Sequence, residues 1–240
     1  MTRINRAVLR AALACVQLCV ALPPSPAQAA RPMITDDARI VDPRACQLET
    51  WVRRNDVSTE QWAIPACNPT GNLELAFGGA RTLDSGTNRT SDVLMQAKTI
   101  LKPLETNGWG LALAVGNLRH PGEQPRGDVA RNLYGYVPLS LSYADDLAVV
   151  HFNLGLLRQE NESRHLVTAG VGAEIRLHPR LFLIPEVFRQ EQGRPHFQAG
   201  VRYWIVPQRI QIDTTYGDRL GGAGARQWVS IGLRLITPSF

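Results

Sequence analysis

The chain has 240 residues, 44% of them hydrophobic and 20% charged, with 20 glycines, 16 prolines and a formal charge of +5. That length allows one large domain or two small ones, and the composition excludes disordered and collagenous architectures. The charge does not argue for a nucleic-acid partner. Removing residues 1–29 takes away Arg3, Arg6 and Arg10 and no acid, which leaves 23 basic against 21 acidic residues.

Residues 1–29 read as a secretory leader. Arg3, Arg6 and Arg10 form a positive start, Ala11 to Leu22 an apolar stretch of twelve residues, and Pro23 and Pro24 precede a small-residue site at Ala27-Gln28-Ala29. The apolar stretch falls short of the roughly 20 residues that a membrane-spanning helix needs. Cleavage after Ala29 removes Cys15 and Cys19. Cys46 and Cys67 remain, 21 positions apart, in a chain bound for an oxidising compartment, so a disulfide is the favoured reading against two buried thiols.

Residues 30–46, "ARPMITDDARIVDPRAC", form an irregular N-terminal segment ahead of a domain spanning 47–240. The acids Asp36, Asp37 and Asp42 invite a calcium reading, but the glycine and distal glutamate of a calcium loop are missing, which favours a cap or turn.

From residue 47 onward, alternation of period two dominates. It predicts about twelve strands, near 47–55, 59–66, 72–81, 91–102, 108–117, 132–144, 147–158, 164–177, 181–190, 195–206, 209–217 and 226–236. In "RHLVTAGVGAEIRLH", Val167, Ala169, Val171, Ala173 and Ile175 share one face, while Gly170, Gly172, Glu174 and Arg176 share the other. Polar, Gly/Pro-rich connections such as "NLRHPGEQPRGDVAR" alternate with tight ones such as "ADD", "HPR" and "PQR". Many of these strands exceed the usual five or six residues and match the 9–11 that cross a bilayer.

The expected fold is therefore all-β: an antiparallel transmembrane β-barrel of about twelve strands in an up-and-down meander, with apolar side chains toward lipid and polar ones toward the lumen. The lumen-lining set is Glu74, Lys98, His151, Glu174, Arg176, Glu186, Arg202, Trp204, Asp213, Arg226, Trp228 and Arg234, with Gln96 among them. Across a narrow lumen these charges are expected to pair with one another, because an unpaired buried charge is costly. Twelve strands enclose either a narrow pore or an occluded pocket.

Two further features bear on the interior. The strand "GWGLALAVGN" turns only Gly108, Gly110, Ala112, Ala114 and Gly116 inward, which leaves room for a ligand or for the N-terminal segment, or else offsets the bulk of Phe182, Ile184 and Phe188. The last of these is the preferred account. Trp51, Trp62, Trp109, Tyr134, Tyr143, Tyr203 and Tyr216 lie mostly toward strand ends, where an interfacial aromatic girdle would sit.

The stretches "RPMITDDARIVDPRACQLETWVRR" and "WAIPACNPTGNLELAFGGA", followed by alternating strands up to "GLRL", resemble a family of bacterial outer-membrane proteins described as transporters of the meta-pathway of phenol degradation. The resemblance implies a barrel of about twelve strands and a location in the outer membrane of a Gram-negative bacterium. It supplies neither substrate nor catalytic residues.

The leading expectation is a transporter or porin-like channel for a small, hydrophobic or aromatic molecule, with Phe182, Phe188, Trp204 and Trp228 as apolar contacts. Its partners would be outer-membrane lipid, the barrel-assembly machinery reached through the C-terminal strand, and the solute. No cofactor, metal, catalytic residue or nucleic-acid partner is expected. The alternatives are a lipid-modifying barrel hydrolase built on Ser140 and His151, and a soluble periplasmic sandwich or barrel that binds a ligand.

Overall fold

Alternation over ten or more residues builds long strands that cannot bury both faces, and here they close on themselves. The computed structural model describes residues 32–84, 89–120, 130–159, 164–190, 193–221 and 227–240. The leader expected at 1–29 and the inward placement expected of Arg226 lie outside them. The strands are β1 (Cys46–Asn55), β2 (Ser58–Cys67), β3 (Leu73–Asp84), β4 (Arg89–Lys102), β5 (Trp109–His120), β6 (Ala130–Tyr143), β7 (Ala148–Gln159), β8 (Arg164–His178), β9 (Leu181–Arg189), β10 (His196–Val206), β11 (Ile210–Arg219) and β12 (Trp228–Ile236). Each pairs antiparallel with the next, and β1 pairs with β12 to close a twelve-stranded barrel. Closure leaves no exposed sheet edge.

The outward face is apolar. Leu154 on β7 is 64% exposed and Ile231 on β12 is 65% exposed, and Phe77, Val115, Val167 and Val229 are exposed with them. A sandwich buries such residues between its sheets, whereas this barrel turns them out, an arrangement suited to hydrocarbon and not to water.

Connections 68–72, 103–108, 144–147, 179–180 and 207–209 cluster at one end, together with the C-terminal residues. Two of them are knitted together: Asn107 Nδ2 donates to Asp145 Oδ1 at 2.6 Å, and Thr106 Oγ1 to Asp146 Oδ2 at 2.9 Å. At the other end the connections range from two residues between β1 and β2 to nine between β5 and β6. The β1–β2 turn is tight because Asn55 Oδ1 accepts from the amides of Val57 and Ser58. Register shifts at Ile100/Lys102, Arg176/His178 and Trp204/Val206 all fall at the short-loop end.

The disulfide expected between Cys46 and Cys67 is formed, and it joins directly opposed residues of β1 and β2 at the short-loop end. Beside it the chain turns inward. Residues 32–45 run up the inside of the barrel and fill much of the lumen that twelve strands enclose.

Candidate functional site

Two inward carboxylates, Glu186 and Glu74, and one hydroxyl accept backbone amides of this N-terminal segment. Glu186 Oε1 accepts from Ile34 N at 2.8 Å and Glu186 Oε2 from Thr35 N at 2.7 Å. Glu74 Oε2 accepts from Val41 N at 2.8 Å, and Ser140 Oγ from Ala38 N at 2.9 Å. An irregular segment buried without such acceptors would carry unpaired N–H groups at roughly 1–3 kcal/mol each. Lys98 Nζ binds Asp36 at 2.8 Å and Asp37 at 3.2 Å, and Tyr136 OH donates to Asp36 Oδ2 at 2.8 Å. Gln198 Nε2 donates to Pro32 O at 2.7 Å. The segment's root is fixed by Asn68, which exchanges backbone hydrogen bonds with Arg44 and Ala45 and donates its side-chain amide to Val41 O.

Room for the segment comes from β8. A Cβ at Gly170 would lie 2.5 Å from Thr35 Oγ1, and one at Gly172 would lie 2.2 Å from Met33 Cε. A side chain at either position would force Thr35 or the flexible end of Met33 to move. The small inner face of β5 serves other neighbours: Leu104 fills the space at Gly110, and Tyr134 that at Gly116. This corrects the preferred pairing of β5 with Phe182, Ile184 and Phe188. Phe182 and Ile184 pack instead with Val41, Ala45, Trp204 and Ile236 beneath the segment, with Met33 against them.

A second set of lumen residues pairs wall to wall. Arg202 Nη1 donates to Glu174 Oε1 at 2.8 Å, and Asp213 stands directly across from Arg202 in the β10/β11 register. Arg234 Nε lies 2.9 Å from Gln47 Oε1 and 3.4 Å from Glu49 Oε1. Ser140 Oγ lies 2.8 Å from His151 Nδ1, and His151 Nε2 lies 3.8 Å from Glu174 Oε1. A nucleophile, a base and an acid thus stand in a row, but Ser140 and His151 are 0% exposed and the segment covers them.

The expectation that lumen charges pair with one another holds for Glu174 with Arg202 and for Arg234 with Glu49. Glu74, Lys98 and Glu186 bind the N-terminal segment. Asp36 and Asp37 face the Lys98 ammonium. Arg176 sits at the short-loop rim, where β8 is irregular, and its Nη2 donates to Asp145 O at 2.7 Å. Trp204 belongs to the lower packing cluster, while Trp228 packs against Phe188 and His196 higher up.

Above the segment lies a cavity of about 420 Å³ at the end of the longer loops. Trp51, Trp62, Leu94, Tyr134, Phe188 and Trp228 are among its lining residues. Trp51 and Trp62 stack with ring centroids 5.3 Å apart and planes 6° apart. These two and Tyr134 were expected in the interfacial girdle and are inward instead; Trp109, Tyr143, Tyr203 and Tyr216 are exposed. The inward signal was present in the alternation, since Trp51 lies in phase with Glu49 and Arg53, and Trp62 with Glu60. A second cavity of about 240 Å³ runs beside the segment along β1–β4, with Asp36, Glu49, Glu74, Lys98 and Arg234 among its lining residues.

A closed twelve-stranded meander, apolar outside and with charged side chains inside, is the architecture of the bacterial outer-membrane porins. The KdgM porin is similar over 79% of this chain and 98% of its own, with TM-score 0.56 and 8% identity; its complex with a disordered oligogalacturonate gives TM-score 0.55 at the same identity and coverage. The NanC porin matches over the same shares with TM-score 0.56 and 10% identity. At such identities the likeness is one of fold alone. The chain itself belongs to the family described as Uncharacterised conserved protein UCP029691, whose model matches residues 17–236. That family carries no phenol-degradation description, so the resemblance is upheld in its architecture only. A comparison with curated proteins finds no match.

Proposed function

We propose that this protein is an outer-membrane channel for a small, apolar or aromatic molecule, and that residues 32–45 keep it closed until they are displaced. The apolar outer belt and the porin-like fold support the membrane location. With short turns toward the periplasm, as is general for such barrels, the 420 Å³ vestibule opens outward. Cleavage after Ala29 would start the mature chain at Ala30, two residues ahead of Pro32, which lines the vestibule.

One observation carries the closed-channel reading. From Pro32 to Val41 the hydrogen bonds between segment and barrel run through wall side chains, among them Gln198, Glu186, Ser140, Glu74, Lys98, Tyr136 and Asn68. Backbone-to-backbone bonds to the barrel begin at Arg44. The segment can therefore leave the lumen without breaking a rung of the sheet. Planar-bilayer recording tests this. The wild type should be closed most of the time, and a variant with a weakened segment should conduct; silence from both would refute the channel.

The contact between Ser140 and His151 favours a second reading, a lipid hydrolase. Ala38 N already occupies the Ser140 hydroxyl, and Arg202 holds Glu174. A lipid would reach this row only after the segment had moved.

A further inference from the structure

Resting on the channel reading, we infer that the vestibule is a binding site for an uncharged one- or two-ring apolar molecule with few hydrogen-bonding groups, and that Glu60 sets its charge preference. The cavity lies toward the small end of the roughly 300–1,000 Å³ usual for small-molecule sites, which suits a compact solute better than an oligomer.

Its aromatic residues are Trp51, Trp62, Phe188 and Trp228 from β1, β2, β9 and β12, within one half of the ring of strands, and Tyr134 and Tyr136 from β6 in the other half. Flat rings offer large contact areas at little entropic cost, and a planar solute stacks or packs edge-on against them.

Several polar groups of the lining are already engaged with one another or with the wall. Tyr134 OH donates to Gln96 Oε1 at 2.9 Å, and Tyr136 OH to Asp36. Gln198 donates to Pro32 O and to Glu186, and its Oε1 accepts from Trp228 Nε1 at 3.2 Å. Trp62 Nε1 donates to Glu60 Oε2 at 2.9 Å. A sugar entering here would bury several hydroxyls against groups bonded elsewhere, and each unpaired group opposes binding. An apolar ring meets no such penalty.

Arg53 is the cation among the residues that line this cavity, and Glu60 neutralises it through contacts of 2.9 and 2.7 Å to its two carboxylate oxygens. The pair leaves little net attraction for an anion. Glu60 thus acts twice, cancelling Arg53 and fixing the Trp62 ring.

The test measures binding to the full mature chain in lipid nanodiscs by equilibrium dialysis at pH 7, with empty discs subtracted. The probes are 2-naphthol, 2-naphthoate and galacturonate. Saturable binding of 2-naphthol is expected, with 2-naphthoate about tenfold weaker and no measurable binding of galacturonate. Trp51→Ala should weaken 2-naphthol about tenfold, and Trp51→Phe should restore most of the loss. Glu60→Gln should strengthen 2-naphthoate about tenfold while leaving galacturonate unbound. Tighter wild-type binding of either anion than of 2-naphthol, or indifference to Trp51→Ala in a folded barrel, would overturn the inference. Binding without conductance in any variant would remove the channel and leave the site. Conductance without binding would do the reverse.

Discussion

Lys98 Nζ, on β4, lies 2.8 Å from Asp36 Oδ1 and 3.2 Å from Asp37 Oδ1, so one wall ammonium anchors two adjacent carboxylates of the N-terminal segment. Lys98 is 4% exposed. Lys98→Met deprives Asp36 of its ammonium and leaves Asp37 only Arg39 at 3.8 Å, and breaking such a buried pair costs about 3–5 kcal/mol. The segment should leave the lumen, and bilayer recordings should show a higher open fraction than the wild type at the same voltage. An unchanged open fraction would mean that the segment does not close the path.

Gly170→Leu attacks the same segment from β8, at Thr35. Its Cβ would lie 2.5 Å from Thr35 Oγ1, while the β8 backbone ladder has no need of glycine. The barrel should fold with the segment displaced, and protease should cut within residues 32–45 faster than in the wild type. Equal cutting rates would show that the wall tolerates the side chain.

The Cys46–Cys67 bond closes a 21-residue separation beside the segment's root. Replacing both cysteines with serine should lower unfolding stability by about 3 kcal/mol. Urea titration of the barrel in liposomes measures this. A reducing agent should bring the wild type to the same midpoint.

Leu154 stands midway along β7 and faces outward. Leu154→Arg should cost about 2–4 kcal/mol of folding free energy in lipid, because the bilayer midplane penalises a guanidinium. A water-facing site would lose almost nothing. Refolding titrations into lipid vesicles separate the two outcomes.

Ser140→Ala deletes the acceptor for Ala38 N and the contact to His151. The expected result is a loosened segment, a change of about 0.5–1.5 kcal/mol, and no change in fatty-acid release from vesicles. Fatty-acid release that is measurable in the wild type and vanishes in Ser140→Ala would establish the hydrolase instead.

Alternation made the twelve strands, their two faces and the meander legible, because the period-two geometry of a strand is a local property of its residues. The inward turn of Glu186, Lys98 and Glu174 follows from the same rule. Trp51 and Trp62 depart from the girdle expected of them: both lie mid-strand, in phase with Glu49, Arg53 and Glu60, and point to the lumen. The disulfide was legible from the two cysteines that removal of the expected leader would leave, and their direct opposition on β1 and β2 became visible only with the register.

By itself the sequence determined a barrel wall, greasy on one side and polar on the other, since each side chain's direction depends only on its place along its own strand. Tertiary structure decided what the polar side holds. Glu186 meets Ile34 and Thr35 across a separation of more than 150 residues, and Gly170 admits Thr35 only because closure brings β8 against the inward-running segment. No local pattern encodes such contacts, because they arise when twelve strands close around a space that a further piece of chain can fill.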